Sequence, residues 1–298
     1  MSTAAVSISS LKDEVRATIE ERSATARPYL LEPARLRWSS LIRAAAGTQQ
    51  SFLPLVVGLH LLPGTLGVAA YVVLAGPVKE AGYPPLAAFL VAAGLVILPV
   101  ELGILWLART RARAAGETLL RYREPMAWRS WAWLVPVLLV AAILLSVIVA
   151  TVDAIVGQGF SAWSPAWISI GDGLQPLAGK PIEVVTVGHY SISAWTATLG
   201  GYMLLNGVAE PIVEELYFRG WLLPRLDRLG RWAPLVNVAL FSLYHFWLPA
   251  QFLSRLAAML PVAYTVRWRR NVYVGIVVHI ALNAVAGVLV IAAIAPHL

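Results

Sequence analysis

Ionisable residues are scarce in apolar helices, because each costs several kcal/mol in hydrocarbon and needs a compensating role. One apolar stretch of this sequence, NGVAEPIVEELYFRGW, sets Glu210, Glu214, Glu215 and Arg219 within ten positions. A second holds Asn237 and the run FSLYH, which ends at His245, and a third holds His279-Ile-Ala-Leu-Asn283. Residues four apart share a helix face. Glu215 and Arg219 therefore pair, which brings the arginine into the membrane at a tolerable cost. Glu214 is turned about 100° from Glu215 and shares its face with Glu210 instead. One glutamate is thus held by a cation while its neighbour is left for chemistry. His279 and Asn283 share a face in the same way, as do Phe241 and His245. These three apolar stretches thus carry carboxylates, imidazoles and an amide that can meet near the membrane midplane, where ionisable groups mark a functional site. The chain has no cysteine. No serine or paired aspartate stands in a comparable place, so no side-chain nucleophile is on offer. Two histidines and a glutamate are also a zinc ligand set, although HExxH is absent. Zinc assistance stays open on these residues alone, and no other cofactor is implied.

The elements that must position these groups follow from composition. Of 298 residues, 59% are hydrophobic and 13% charged, with a mean hydropathy of +0.71. Soluble domains lie near 45–50% apolar, and disorder needs low hydrophobicity and high charge. Both classes are excluded, and an all-α, polytopic transmembrane helical bundle of seven or eight spans is expected. A span needs about 20 apolar residues, and seven stretches qualify: 51–76, 84–108, 130–151, 193–218, 232–248, 249–266 and 271–295. The fifth and sixth predict a tight helical hairpin. Pro63–Gly64 predicts a kink or break in the first. Counted back from the basic span ends at 1.5 Å per residue, Glu214, His245 and His279 fall at depths of about 16, 21 and 13 Å.

Basic residues set the orientation. Nineteen of the 23 cluster before the first span and after the second, fourth and sixth, against Lys79 and Lys180 on the opposite side. The positive-inside rule then expects a cytoplasmic N-terminus and an outer C-terminus, and the membrane expected is a bacterial inner or plasma membrane. The net charge of +7 reports topology and anionic lipid rather than nucleic acid. The organisation read from these features is an amphipathic, interfacial N-terminal arm (1–50), N-terminal transmembrane helices (51–151), an outer loop (152–192) and a core carrying the motifs (193–298). Within the arm, 10–22 reads as a short amphipathic helix whose Ser10 and Asp13 have capping-box spacing. Residues 29–45 read as a membrane-surface segment.

EELYFR, FSLYH and HIALN resemble the ordered EExxxR, FxxxH and HxxxN motifs of the CPBP family of intramembrane proteases. That family includes type II CAAX prenyl endopeptidases and bacteriocin-processing and self-immunity proteins. The resemblance covers 193–295. It implies an intramembrane endopeptidase acting on a membrane-associated, lipid-anchored or prenylated CaaX-type protein or peptide. It also implies roles: Glu214 as the base that activates water, His245 assisting, His279 and Asn283 at the oxyanion, Glu215 and Arg219 supporting, and Phe241 packing beside His245. Low dielectric strengthens a carboxylate as a base, in keeping with these roles. The competing functions are a proton-coupled transporter, which would show repeat symmetry, and a non-catalytic immunity or scaffold protein.

Other polar residues invite plainer readings. His60 and Glu101 read as a structural contact, or as cavity-lining groups. Arg255 reads as a snorkelling side chain at an outer helix end. Trp106, Trp128, Trp131, Trp133, Trp232 and Trp247 read as an interfacial belt.

Overall fold

The computed structural model describes residues 52–163, 190–248 and 251–298. The N-terminal arm and residues 164–189 of the expected outer loop lie outside the described residues. The described chain is helical, and its one β-type contact is an isolated antiparallel bridge between Arg123 and Asn271.

Helix α1 spans Phe52–Glu80, α2 Pro85–Ala92, α3 Leu98–Ala114 and α4 Trp128–Trp163. A π turn, Ala93–Ile97, joins α2 to α3 as one rod. Then come α5 (Ile192–Leu204) and α6 (Glu210–Glu214), separated by a π turn at Leu205–Ala209. A π segment, Glu215–Leu222, and a 3₁₀ segment, Leu223–Trp232, follow α6. Helices α7 (Ala233–Tyr244), α8 (Phe252–Arg269) and α9 (Val272–Ile294) complete the chain.

Four helices among the described residues are long and apolar enough to cross a membrane: Leu53–Glu80, Pro85–Ala114, Trp128–Ile155 and Val272–Ile294. This is an integral membrane protein. The expected seven or eight spans are not matched by as many long apolar helices, and the reason is physical. The other three expected spans are broken, short or charged. Helix α7 has 12 residues, about 18 Å, against a hydrocarbon thickness of about 30 Å. Helix α8 holds Arg255, Arg267 and Arg269, and the α6 region holds three glutamates and an arginine.

Local sequence sets the helix ends. Ser191 caps α5, its Oγ accepting from the Ala194 amide at 3.1 Å. Asn271 caps α9, its Oδ1 accepting from the Val274 amide at 3.2 Å. Just before it, Arg270 adopts a left-handed conformation (φ 50°) that ends α8, so two helices meet with almost no loop. Helix α4 continues to Trp163, into the stretch read as loop. The extension brings Asp153 over the start of α8, where its two oxygens accept from the Leu253 and Ser254 amides at 2.9 and 2.5 Å. Those are the orphan donors of a helix N-terminus, here capped by another helix.

Helix α1 passes through Pro63 and Gly64 without the predicted break. Gly64 has a different use: a Cβ there would strike the Tyr244 carbonyl oxygen. Its bareness lets α1 seat against the end of α7, beside His245.

Candidate active site

The three motifs converge. Glu214 ends α6 between two π segments, a departure from regular helix that is common at functional sites. Its Oε1 lies 3.8 Å from His245 Nε2 and its Oε2 lies 3.8 Å from His279 Nε2. Each imidazole is held through its other nitrogen. His245 Nδ1 is 2.8 Å from the Phe241 carbonyl oxygen, and His279 Nδ1 is 3.1 Å from Glu215 Oε1. Both Nδ1–H groups therefore donate, which turns both Nε2 atoms to the same carboxylate.

Glu215 belongs to a second layer. It is fully buried, 3.1 Å from Arg219 Nη1, which is also fully buried. The ion pair expected from the four-residue spacing is present, and it also holds His279. The Arg219 guanidinium lies over the Phe241 ring, with Cζ 4.0 Å from the centroid. The same ring meets His245 and His279 edge-on at centroid distances of 4.8 and 5.9 Å. Phe241 thus touches the cation and both imidazoles, and its packing role is wider than expected. Gly275 supplies the room, since a Cβ there would collide with the Glu215 carboxylate.

His245 departs from expectation in its backbone. Helix α7 stops at Tyr244, and His245 (φ −81°, ψ 56°) stands just past it. The spacing to Phe241 survives because the last turn carries the histidine out over the Phe241 carbonyl.

Glu210, Glu214, His245, His279 and Asn283 line one cavity of about 400 Å³, with Phe241 in its wall. Most of the remaining wall is apolar, from residues such as Phe89 and Met259. Ile143, Val147, Val285 and Leu289 line it and are also exposed on the outside of the described bundle. The cavity therefore has a mouth between α4 and α9, on a surface of lipid-facing character. Asn283 Nδ2 donates to the Asn206 carbonyl oxygen at 2.8 Å, which fixes the amide at the cavity wall. Among the described residues, no group of three His, Asp or Glu side chains is arranged to hold a metal ion.

Several polar residues lie elsewhere than expected. Arg255 does not snorkel to an outer end. It lines the same cavity, with Nη2 3.4 Å from Gln251 Oε1 and with Nη1 buried and without a hydrogen bond. Only the turn of α8 that follows the Asp153 cap brings it inward, and nothing in its own sequence neighbourhood signals this. Trp247 leaves the interfacial belt for the same wall, where it is buried against Phe89 and Tyr244. Trp106, Trp128, Trp133 and Trp232 are exposed, as a belt requires.

His60 does not contact Glu101, and neither lines the cavity. His60 Nδ1 is 2.7 Å from the Val56 carbonyl oxygen and its Nε2 is 3.0 Å from Asn237 Nδ2. Asn237 donates also to the Phe218 carbonyl oxygen at 3.0 Å, so it ties three elements together rather than serving the site. Glu101 is fully buried behind the site, within electrostatic reach of Glu214, Tyr244 and Glu210.

Residues 196–285 match the family model described as type II CAAX prenyl endopeptidase Rce1-like. The matched stretch contains all three motifs. No curated protein and no solved structure matches the chain.

Proposed function

We propose that the Rce1-like type II CAAX prenyl endopeptidase domain at 196–285 hydrolyses a peptide bond of a membrane-associated protein or peptide, with Glu214 activating the water. The observation that carries this reading is the Glu214 carboxylate between two imidazole Nε2 atoms, 3.8 Å from each. Those distances exceed a direct hydrogen bond and suit a water or a scissile amide drawn between the groups.

Glu214 takes a proton from a water that His245 Nε2 helps to orient. The water oxygen then attacks the scissile carbonyl carbon, and negative charge builds on the carbonyl oxygen. His279, carrying a proton on Nε2 as well as on Nδ1, donates to that oxygen, with Glu215 and Arg219 fixing the ring. Asn283 adds its amide to the same region. Glu214 returns the proton to the leaving nitrogen as the C–N bond breaks, giving a carboxylic acid and an amine, and the acid's proton passes to the amine to leave a carboxylate and an ammonium. The family match supports a CaaX-type substrate, prenylated or otherwise lipid-anchored, and the lateral mouth suits such a chain entering from the bilayer. The positive-inside distribution supports a cytoplasmic N-terminus, and the α5–α6 stretch, α7 and α8 complete the seven crossings in this reading.

In this mechanism Glu214 is the base, and zinc is given no step. The test is cleavage of fluorogenic prenylated and unmodified membrane peptides by detergent-purified protein. Wild type, Glu214→Ala, His245→Ala and His279→Ala are compared with and without a tight zinc chelator. Cleavage lost in Glu214→Ala and indifferent to chelator is expected. Activity that survives Glu214→Ala overturns the assignment of the base, and activity removed by chelator and restored by zinc converts the reading to a metalloenzyme.

A further inference from the structure

A second cavity, of about 980 Å³, shares no lining residue with the first. Its walls divide by chemistry. Leu102, Leu105 and Trp106 form an apolar part, and Arg109, Arg113 and Arg123 form a basic part. Positions 102, 106, 109 and 113 recur at helical spacing on α3, so they form one stripe. The stripe runs about 16 Å from Leu102 to Arg113. It crosses the point where an apolar, membrane-length helix turns basic, which is the depth of lipid headgroups.

The far wall is firmly built. The Glu124 amide donates to the Arg270 carbonyl oxygen and the Val272 amide to the Tyr122 carbonyl oxygen, each at 2.9 Å. Asn271 Nδ2 donates to the Glu124 carbonyl oxygen at 2.7 Å. Arg123 Nε donates to the Tyr273 hydroxyl at 3.1 Å, which orients its guanidinium. Arg109 and Arg113 have no ion-pair partner among the described residues. The one lining carboxylate, Glu117, is within electrostatic reach of Arg225, outside the cavity. Three guanidiniums thus face one carboxylate at the mouth of an apolar slot.

We propose that this cavity binds an anionic phospholipid, its phosphate held by Arg109, Arg113 and Arg123 and an acyl chain laid along Trp106 and Leu102. Guanidiniums match phosphate oxygens in fork geometry, and the indole and leucine side chains meet the chain where it leaves the headgroup. The site is separate from the catalytic cavity and stands whether or not the chain cleaves peptides.

The test is native mass spectrometry of the full-length protein released from detergent with equal phosphatidylglycerol and phosphatidylcholine. A parallel arm adds inorganic phosphate. Wild type is expected to retain phosphatidylglycerol preferentially. Each of Arg109→Gln, Arg113→Gln and Arg123→Gln is expected to lower that retention about fivefold. Arg111→Gln and Arg121→Gln, at exposed arginines outside the cavity, are expected to leave it unchanged. Quenching by brominated acyl chains should fall in Trp106→Phe. Helical content and monodispersity check each variant, and the exposed singles Arg109→Gln and Arg113→Gln carry the test if Arg123→Gln misfolds. Equal retention of the two lipids overturns the proposal, as does an equal loss in Arg111→Gln and Arg121→Gln. Displacement of bound lipid by free phosphate at millimolar concentration reassigns the site to a soluble anion and overturns it as well.

Discussion

Two buried polar clusters flank the aromatic residues Phe218 and Phe241, built from the same side-chain types to different ends. In the cluster around His60, both ring nitrogens are engaged within 3.0 Å, by the Val56 carbonyl oxygen and by Asn237. It faces no cavity. In the cluster around Glu214, each histidine is held at Nδ1, yet each Nε2 stops 3.8 Å short of the carboxylate, and a 400 Å³ cavity lies alongside. A histidine with both ring nitrogens spent on hydrogen bonds is a fastener. A set held open on one side, with the open atoms converging on a cavity, is left for a reactant. Buried histidine and amide content alone does not tell the two apart; the unused nitrogens do.

The sharpest way to break this contrast is Glu214→Gln. It keeps the shape of the side chain and removes the base. Catalytic efficiency should fall by about 10³–10⁴ with thermal stability nearly intact. A substantial residual rate in the folded variant would erase the distinction between the clusters. Gly275→Ala probes the support. The added methyl has to displace the Glu215 carboxylate and with it His279, and about a 10²-fold loss of kcat is expected from such a misplacement. Wild-type kcat would show that the Glu215 layer is not needed in register.

On the other side of the comparison, Asn237→Ala should lower stability by about 1–3 kcal/mol, as buried groups lose their partner. Its kcat/KM per folded molecule should stay within about twofold. Chemical denaturation in mixed micelles and active-site titration separate the two effects. The smallest effect belongs to Asp153→Ala. Loss of the cap on α8 should remove about 1 kcal/mol, seen as a modest drop in Tm. A large activity loss there would mean that the α8 turn holding Arg255 depends on the cap.

Much of the site is legible in the sequence because its logic is local. Glu215 and Arg219 pair through helical spacing, Glu214 is rotated free of them, and the lone histidines of FSLYH and HIALN fall where these residues can meet. What escapes the sequence depends on contacts between distant elements. The partner of His60 is Asn237, 177 positions away, and nothing local favours it over Glu101. Arg255 resembles any basic residue near a helix end until Asp153, from a segment that reads as loop, fixes the start of α8. The bundle class follows from hydropathy. The span count does not, because the stretches read as the fourth, fifth and sixth spans are broken, short or charged and depend on apolar neighbours for their place.

The mouth between α4 and α9 has a consequence for how this protein would meet its substrate. A chain that enters sideways from the bilayer is never at a bulk concentration; what matters is its density within the membrane plane. Diluting substrate with inert lipid at constant total amount should therefore slow cleavage, while adding buffer to the same vesicles should not. The relevant Michaelis constant is a mole fraction of the membrane, and two cells with equal amounts of substrate but different membrane areas would process it at different rates.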